Sequence, residues 1–173
     1  MVTRAGEWQL VETNEGEVSA AYMVFRTWAP APGLWLSLVE DTTTQACVLI
    51  VFGNNDEQVA DLAHRMSVFV PVMPREEVVA GPGTAEDPQK RIPAVLRVAL
   101  AAGPEFDAEL FQVLTDTAQD PDPFVRNATA WSTTYLEWPQ SLDLLRDMTS
   151  RDSDEHVRQS ARDLLNDFQS GGS

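Results

Sequence analysis

The sequence predicts an α+β protein, in which a small mixed β-sheet with one helix packs on a stack of about five helices. Two observations predict this class. The composition changes near residue 84, from short runs of β-branched and aromatic residues to apolar residues at helical spacing. A motif that opens two of the later helices also recurs at a fixed interval. We therefore expect a sheet segment over residues 1–83, helical repeats over residues 84–168 and a disordered tail over residues 169–173.

Short runs rich in β-branched and aromatic residues predict the strands. They cover residues 18–28, 34–39 and 45–52, with a further edge strand beginning at Trp8 and Leu10. Pro32 and Gly33 predict a turn between the first two runs. The third run is apolar without alternation, so we expect both of its faces, and with them Cys47, to be buried. Residues 68–73 predict one more strand, interrupted by Pro71.

One helix is expected inside the sheet segment. Asn55 or Asp56 can cap it, and the apolar residues from Val59 to Met66 recur at helical spacing. The glycine- and proline-rich residues 80–88 then predict a linker between the two halves of the chain.

Five apolar stripes at helical spacing follow this linker. They lie within residues 92–100, 106–114, 124–135, 142–148 and 157–168. Gly103 with Pro104, then Pro121, and then Pro139 end the first three stripes. The second half is therefore expected to contain five helices in sequence.

Two of these helices open with related text. Residues 120–126 (DPDPFVR) align with residues 152–158 (DSDEHVR) at an offset of 32 residues. The motif resembles the short HEAT repeat of the bilin-lyase type, over about residues 89–168. The resemblance implies stacked helical hairpins. The first unit, residues 89–118, lacks the motif and is assigned from helix lengths alone.

The motif residues have structural roles. Asp122 and Asp154 stand where a side-chain oxygen can cap the coming helix. The resemblance implies that Arg126 and Arg158 each reach a turn aspartate of a neighbouring unit. Because so short a stack needs its ends covered, we expect the sheet to pack on the first helices as the N-terminal cap.

The charge of the chain narrows the range of partners. Aspartate and glutamate total 27 against 12 lysines and arginines, for a net charge of −15. The excess is spread over both halves, so it favours a basic protein partner and disfavours nucleic acid and anionic membranes. A cytoplasmic location is expected, because the longest apolar run is strand-sized and the N-terminal residues are acidic where a signal peptide is basic and then apolar.

No catalytic, cofactor-binding or metal-binding cluster is predicted, and no cofactor is expected. His64 and His156 are far apart in the sequence. Asp61 and His64 lie three residues apart on one helix face and could form one corner of a metal site, but no second pair of ligands accompanies them. The enzyme alternative places a pocket around these two residues, between the sheet and the first helices.

A candidate partner-binding patch lies in the helical half. Trp131, Tyr135 and Trp138 follow spacings of four and three, so on one helix they would share a face. Asp143 and Asp147 lie one helix further on and would give the patch an acidic rim. The alternative is that this aromatic face packs on the neighbouring unit.

The sequence thus predicts a non-enzymatic, acidic protein-binding module. Its leading interpretation is a bacterial immunity or inhibitor protein that neutralises a basic toxin or enzyme. A second interpretation is an adaptor or regulatory subunit, in which the sheet and the helical stack bind different proteins. The third is the enzyme with a pocket near Asp61 and His64.

Overall fold

The computed structural model describes residues 8–18, 21–41 and 46–170. Four strands come first and α-helices follow, which confirms the α+β class. The strands are β1 (Gln9–Val18), β2 (Ala21–Ala31), β3 (Leu34–Asp41) and β4 (Ala46–Gly53). The helices are α1 (Asp56–Phe69), α2 (Arg75–Thr84), α3 (Pro88–Leu100), α4 (Ala108–Thr117), α5 (Pro123–Ser132), α6 (Gln140–Arg151) and α7 (Glu155–Ser170).

The sheet is antiparallel throughout, in the order β1-β2-β3-β4, and is not the mixed sheet that the sequence predicted. Neighbouring antiparallel strands need only a tight connection, whereas parallel neighbours need a crossover of about a dozen residues. The predicted turn joins β2 to β3, where Gly33 takes a positive φ of 75° that favours glycine. The strands predicted before residue 53 therefore form, each paired with its neighbour in the sequence.

Helix α1 covers one face of the sheet. Its Leu62 packs with Leu34 and Leu36 of β3, and Asn55 caps the helix by accepting a hydrogen bond from the backbone N–H of Gln58. The prediction that both faces of β4 are buried is wrong, because Ile50 and Phe52 are exposed on the face away from α1. Cys47 is also exposed, although it lies on the same face of β4 as Leu49 and Val51.

The strand predicted at residues 68–73 does not form. Helix α1 continues through Val68 and Phe69, and the backbone N–H of Val70 closes its last turn on the carbonyl of Met66. Residues 70–73 are then irregular, without a strand partner among the described residues. Helical hydrogen bonding has therefore overridden the β-branched composition of this run.

The predicted linker is also helical in its first half. Helix α2 runs through Gly81 and Pro82 to Thr84, and Val78 of α2 lies in the core of the helical half. Tertiary packing of α2 thus outweighs the low helix propensity of its glycines and proline. The chain accordingly divides into two compact units, residues 1–73 and 74–173, whereas the sequence analysis placed the boundary at residues 83 and 84.

The second unit is a two-layered stack of helical hairpins. Helices α3, α5 and α7 pack side by side in one layer, and α2, α4 and α6 form the other. The hairpins are α2–α3, α4–α5 and α6–α7, so the stack begins one helix earlier than predicted. Its core contains Val95, Leu114, Val125, Leu145 and Val157, all buried. Helix α7 also includes Gln169 and Ser170 of the predicted tail, whose last three residues lie outside the described part of the chain.

Arg126 ties the second hairpin to the third, as the resemblance implied. Its Nε and Nη2 donate to the two carboxylate oxygens of Asp152 at 2.8 and 2.9 Å. Its Nη1 donates to the carbonyl oxygen of Asp120 at 2.8 Å, in the turn that precedes its own helix. The side chains of Arg126 and Asp152 are only 10% and 3% exposed, so this two-pronged contact is shielded from water.

Arg91 makes the same kind of tie one hairpin earlier, which the sequence analysis missed. Its Nη2 donates to Asp120 Oδ1 at 2.9 Å, and its Nη1 donates to the carbonyl oxygen of Glu86 at 3.1 Å. Asp87-Pro88-x-x-Arg91 repeats the Asp-Pro-x-x-Arg spacing of residues 122–126. The first hairpin therefore carries a partial copy of the motif, with Ala85 where the later copies have the receiving aspartate.

Arg158 makes no such tie, so that prediction is wrong. It donates to the carbonyl oxygen of Asp152 at 2.5 Å and to Glu155 of its own helix. No acidic turn follows α7 within the described residues, so its outer nitrogen contacts a carboxylate on its own first turn. The caps are as predicted, since Asp122 and Asp154 accept from the backbone N–H groups of Phe124 and His156, each at 2.8 Å.

Arg126→Ala is expected to destabilise the second unit much more than Arg158→Ala. Removing Arg126 leaves the buried Asp152 carboxylate uncompensated, which costs about 3 kcal/mol. Removing Arg158 breaks one carbonyl bond and one exposed ion pair, which costs about 1 kcal/mol. Urea denaturation followed by circular dichroism measures both. Equal losses for the two variants would refute the inter-hairpin tie.

The lowered pKa values of two turn aspartates make the stability of this unit depend on pH. Burial alone would raise the pKa of the Asp152 carboxyl group, but Arg126 and the backbone N–H of Asp154 bring it below its ordinary value. The pKa of Asp107 is also lowered, mainly by the backbone N–H of Leu110 and, against burial, by Arg75. A carboxyl group with a depressed folded-state pKa stabilises the fold above its unfolded pKa and ceases to do so as the pH falls through the folded value.

The free energy of unfolding should therefore be steady above about pH 5 and decline below about pH 4, where unfolded aspartates take up protons. Asp152→Asn should lower the free energy of unfolding at neutral pH and make its decline at acid pH shallower. Asp107 should still contribute to the decline that remains. Urea titrations between pH 3 and pH 7 measure this slope. An unchanged acid slope in Asp152→Asn would count against the ion pair as its source.

Candidate partner-binding surface

Helix α5 is buried on most of its circumference, because α3 and α7 flank it within one layer. Two large aromatic side chains are the exception. Phe124 is 64% exposed and Trp131 is 47% exposed. They are seven residues apart, which is two helical turns, so both project from the same face of α5 about 10 Å apart along its axis. An exposed aromatic pair on the central helix of the stack is therefore the most prominent feature of this layer.

Trp131, Tyr135 and Trp138 do not share one helix, as the sequence analysis predicted. Helix α5 ends at Ser132, and a 3₁₀ turn covers Thr133–Tyr135. The hydroxyl groups of Ser132 and Thr133 each donate to a carbonyl oxygen three residues earlier, at 2.7 Å. Such side-chain bonds offer the backbone an alternative to continued α-helix. Despite their spacing of four and three, Trp131, Tyr135 and Trp138 therefore do not share a helix face.

Trp138 lies in the core and is only 2% exposed. Its ring meets those of Phe106 and Phe111 edge-on, with centroids 5.3 and 6.4 Å away. Its Nε1 donates to the carbonyl oxygen of Gly103 at 3.0 Å, which ties the approach to α6 to the approach to α4. Trp138 thus packs against neighbouring helices, which was the alternative to a partner-binding role. Its ring is not available to a partner in this structure.

The remaining residues of the predicted patch are dispersed. Tyr135 is half-buried against the core. Asp143 and Asp147 of α6 pair with Arg146 and Arg151 of the same helix, at 2.6 and 3.0 Å. These ion pairs are exposed and contribute little to stability. The patch predicted from the sequence therefore reduces to Trp131, with the two aspartates on a different helix.

A cleft of about 530 Å³ opens beside the Arg126–Asp152 pair. It lies between the C-terminal halves of α4 and α6, which are not closely packed on one another. Leu144 and Met148 give it an apolar wall, and Asp147 and Arg151 are at its rim. Its lining combines an apolar wall with charged groups that are already paired to one another.

The residues of the enzyme alternative are not assembled for chemistry in the first unit. Asp61 pairs with Arg65 at 3.0 Å, and His64 is exposed on α1. No group of three or more metal-ligating side chains occurs within residues 8–18, 21–41 and 46–170. No helix in the same ranges is both long enough and apolar enough to span a bilayer.

Paired helices, stacked in two layers and tied hairpin to hairpin by arginine–aspartate contacts, define a helical-repeat scaffold. Residues 84–166 match the family model described as HEAT repeats, and this segment is built of such repeats. HEAT repeats generally act as scaffolds for protein–protein interaction, and this segment resembles such an interaction module. No curated protein and no solved structure gives a significant match to the chain.

Phe124 was missed as a surface residue, although the repeat contains a signal for it. The sequence analysis grouped it with the apolar stripe of its helix. In the aligned copies, the equivalent positions hold His156 in α7 and Gln89 in α3, both exposed polar residues. A position that is polar in two copies of a repeat faces solvent in the third, so a phenylalanine there is unusual and indicates a contact surface.

Trp138→Ala should lower the free energy of unfolding by about 3–5 kcal/mol. It leaves a cavity where the ring packs, and it removes the hydrogen bond to the carbonyl oxygen of Gly103. Trp131→Ala should change it by less than about 1 kcal/mol, because that ring is half in water. Chemical denaturation of the two variants measures the difference. If Trp131→Ala proved as destabilising as Trp138→Ala, the ring of Trp131 would belong to the core.

Proposed function

We propose that this protein is a non-enzymatic binding module that holds a basic partner protein against the outward face of α5. The observation that carries the proposal is the exposed pair Phe124 and Trp131 on a helix that is otherwise buried. When a partner covers large aromatic rings that are exposed to water, their apolar surface is buried, which favours binding. Tryptophan in particular is over-represented among the residues that dominate binding energy.

Charge supports the basic character of the partner. The chain carries −15 in total, with an excess of carboxylates in both halves. Helix α7 packs against α5 and exposes Glu155, Asp163 and Asp167 against one exposed arginine, Arg162. A negative surface around an apolar centre attracts a positive partner over a distance of about one Debye length, roughly 8 Å at physiological ionic strength.

The finer proposal is an immunity or inhibitor protein that neutralises a basic toxin or enzyme. An inhibitor of this kind needs a stable scaffold, an aromatic contact centre and an opposite charge, and it needs no chemistry of its own. The second unit supplies the scaffold through its arginine ties and the contact centre through Phe124 and Trp131. Affinity capture from the native organism, followed by mass spectrometry, identifies the partner.

A second candidate is an adaptor or regulatory subunit, and the two-unit organisation favours it. The first unit exposes apolar side chains of its own, including Ile50 and Phe52 of β4. Two separate apolar surfaces on two compact units can serve two different proteins at once.

Phe124→Ala and Trp131→Ala should each weaken binding to the captured partner by about tenfold or more, mainly through faster dissociation. Phe168→Ala is the matched control, since Phe168 is an exposed aromatic residue on α7, outside this pair. Surface-based binding kinetics measures the rates. Wild-type dissociation in both α5 variants would refute this surface as the centre of the interface.

The same kinetics tests the charge of the partner. The association rate should fall steeply as ionic strength rises to 0.15 M, while dissociation changes little. Asp163→Lys and Asp167→Lys should slow association without unfolding the chain, because both carboxylates are exposed on α7, which flanks α5. An association rate that is indifferent to salt would contradict a basic partner and leave the α5 surface to be judged by the aromatic variants alone.

A further inference from the structure

The two edges of the sheet differ in how they are protected. Within the described residues, β1 and β4 each pair with a single strand, so each has one free edge. The sequence of β1 carries Glu12, Glu15 and Glu17, and its register shifts between Leu10 and Glu12. Charges and bulges of this kind discourage pairing with another chain. Strand β4 has neither, since all eight of its residues are uncharged, none is proline and its register with β3 is regular.

The hydrogen-bond pattern identifies the free backbone groups of β4. The backbone N–H of Asn54 donates to the carbonyl oxygen of Gly33 at 2.9 Å, at the end of the β3–β4 ladder. Antiparallel pairing alternates between residues that bond to the neighbour and residues that point away from it. Counting back from Asn54, the N–H and C=O groups of Val51, Leu49 and Cys47 point away from β3. A row of such groups is the template for an added strand.

The two sides of β4 define what an added strand would carry. On the face away from α1, Ile50 and Phe52 are 46% and 44% exposed, and Phe52 stacks on Trp35 with ring centroids 5.6 Å apart. Side chains of an added strand on that side would pack on apolar surface. On the other face, α1 packs on β4 and exposes three carboxylates. They belong to Asp56, Glu57 and Asp61, and Asp61 pairs with Arg65 of the same helix.

A second copy of this chain fits the edge poorly. Its own β4 would be apolar on the side of α1, and it would bring a second acidic helix and a further net charge of −15 to the interface. Like charges at an interface oppose association. A strand with basic residues on the side of α1 would instead be attracted to the carboxylates of that helix. The occupant is therefore a different protein.

We infer that β4 is the docking edge for an extended strand of a partner protein. The strand places apolar side chains against Ile50 and Phe52 and lysine or arginine side chains on the side of α1. Main-chain bonds to Cys47, Leu49 and Val51 supply affinity, and the alternation of apolar and basic residues supplies specificity. The inference shares with the proposed function only the basic character of the partner, because it uses the first unit of the chain and not α5.

A synthetic nine-residue peptide of alternating valine and lysine is the probe, titrated into the ¹⁵N-labelled full chain and followed by NMR. The amides of Cys47, Leu49 and Val51 should shift, and their exchange with solvent should slow by tenfold or more on binding. A matched peptide, N-methylated at the residues whose N–H groups would face β4, should bind at least about tenfold more weakly, because those hydrogen bonds cannot form. Equal binding of the two peptides would show adsorption to the acidic surface alone and would overturn the inference.

Variants of β4 locate the effect. Cys47→Pro removes a free N–H and no bond to β3, so it should weaken binding of the unmodified peptide by about fivefold, while Cys47→Ala leaves binding unchanged. Ile50→Lys places a charge on the exposed apolar side without touching the ladder and should also weaken binding, which keeps the test valid if Cys47→Pro fails to fold. Wild-type affinity in a folded Cys47→Pro or Ile50→Lys variant would overturn the inference.

Two further outcomes separate the possibilities. A dimer in sedimentation analysis that Ile50→Lys dissociates would assign the edge to a second copy, and the inference would be wrong. Phe124→Ala and Trp131→Ala should leave peptide binding at the wild-type level. Loss of peptide binding in these α5 variants would place the peptide on the second unit and overturn the inference. Failure of the peptide to bind at all would also overturn it, and would leave the α5 proposal standing.

Discussion

The second unit depends on arginine side chains that each serve two turns. Arg126 holds its own turn through the carbonyl oxygen of Asp120 and the next turn through the carboxylate of Asp152. Arg91 does the same one hairpin earlier, with Asp120 as the receiver. A hairpin of two short helices buries too little surface to be stable alone, so the fold relies on registration between neighbours. These shielded, charge-assisted contacts fix that registration at the edge where the turns lie, and Trp138 fixes it between the approaches to α4 and α6.

The same stacking explains why the aromatic residues divide into two groups. Serine and threonine hydroxyls end α5 at Ser132, and the chain then turns so that Trp138 enters the core beside Phe106 and Phe111. Phe124 and Trp131 stay on the helix itself, at positions where the other two copies of the motif helix have neither an exposed aromatic residue nor a comparable pair. Packing therefore removes one tryptophan from the surface and leaves another as a candidate contact, although both lie within eight residues of one another.

The two units present surfaces of different chemistry. The helical unit offers side chains alone, because its backbone groups are bonded within helices. The sheet unit offers backbone groups as well, along an uncharged edge beside an apolar face that α1 does not cover. Recognition by the first surface depends on ring burial, and recognition by the second depends on main-chain pairing. A module with both can distinguish partners by shape on one unit and by strand sequence on the other.

The sequence by itself determined the α+β class, the strands up to residue 53, helix α1 and the helices from α3 to α7, because these follow from period, turn residues and caps, which are local. The resemblance to HEAT repeats implied the tie from Arg126, but it also implied one from Arg158 that does not form. Tertiary structure decided the rest. The exposure of β4 depends on how many layers pack on the sheet. The helical state of residues 80–84 depends on the burial of Val78. Trp138 belongs to the core, and not to a contact surface, because of where α5 ends. Each of these is set by neighbours distant in sequence, which spacing along one chain does not reveal.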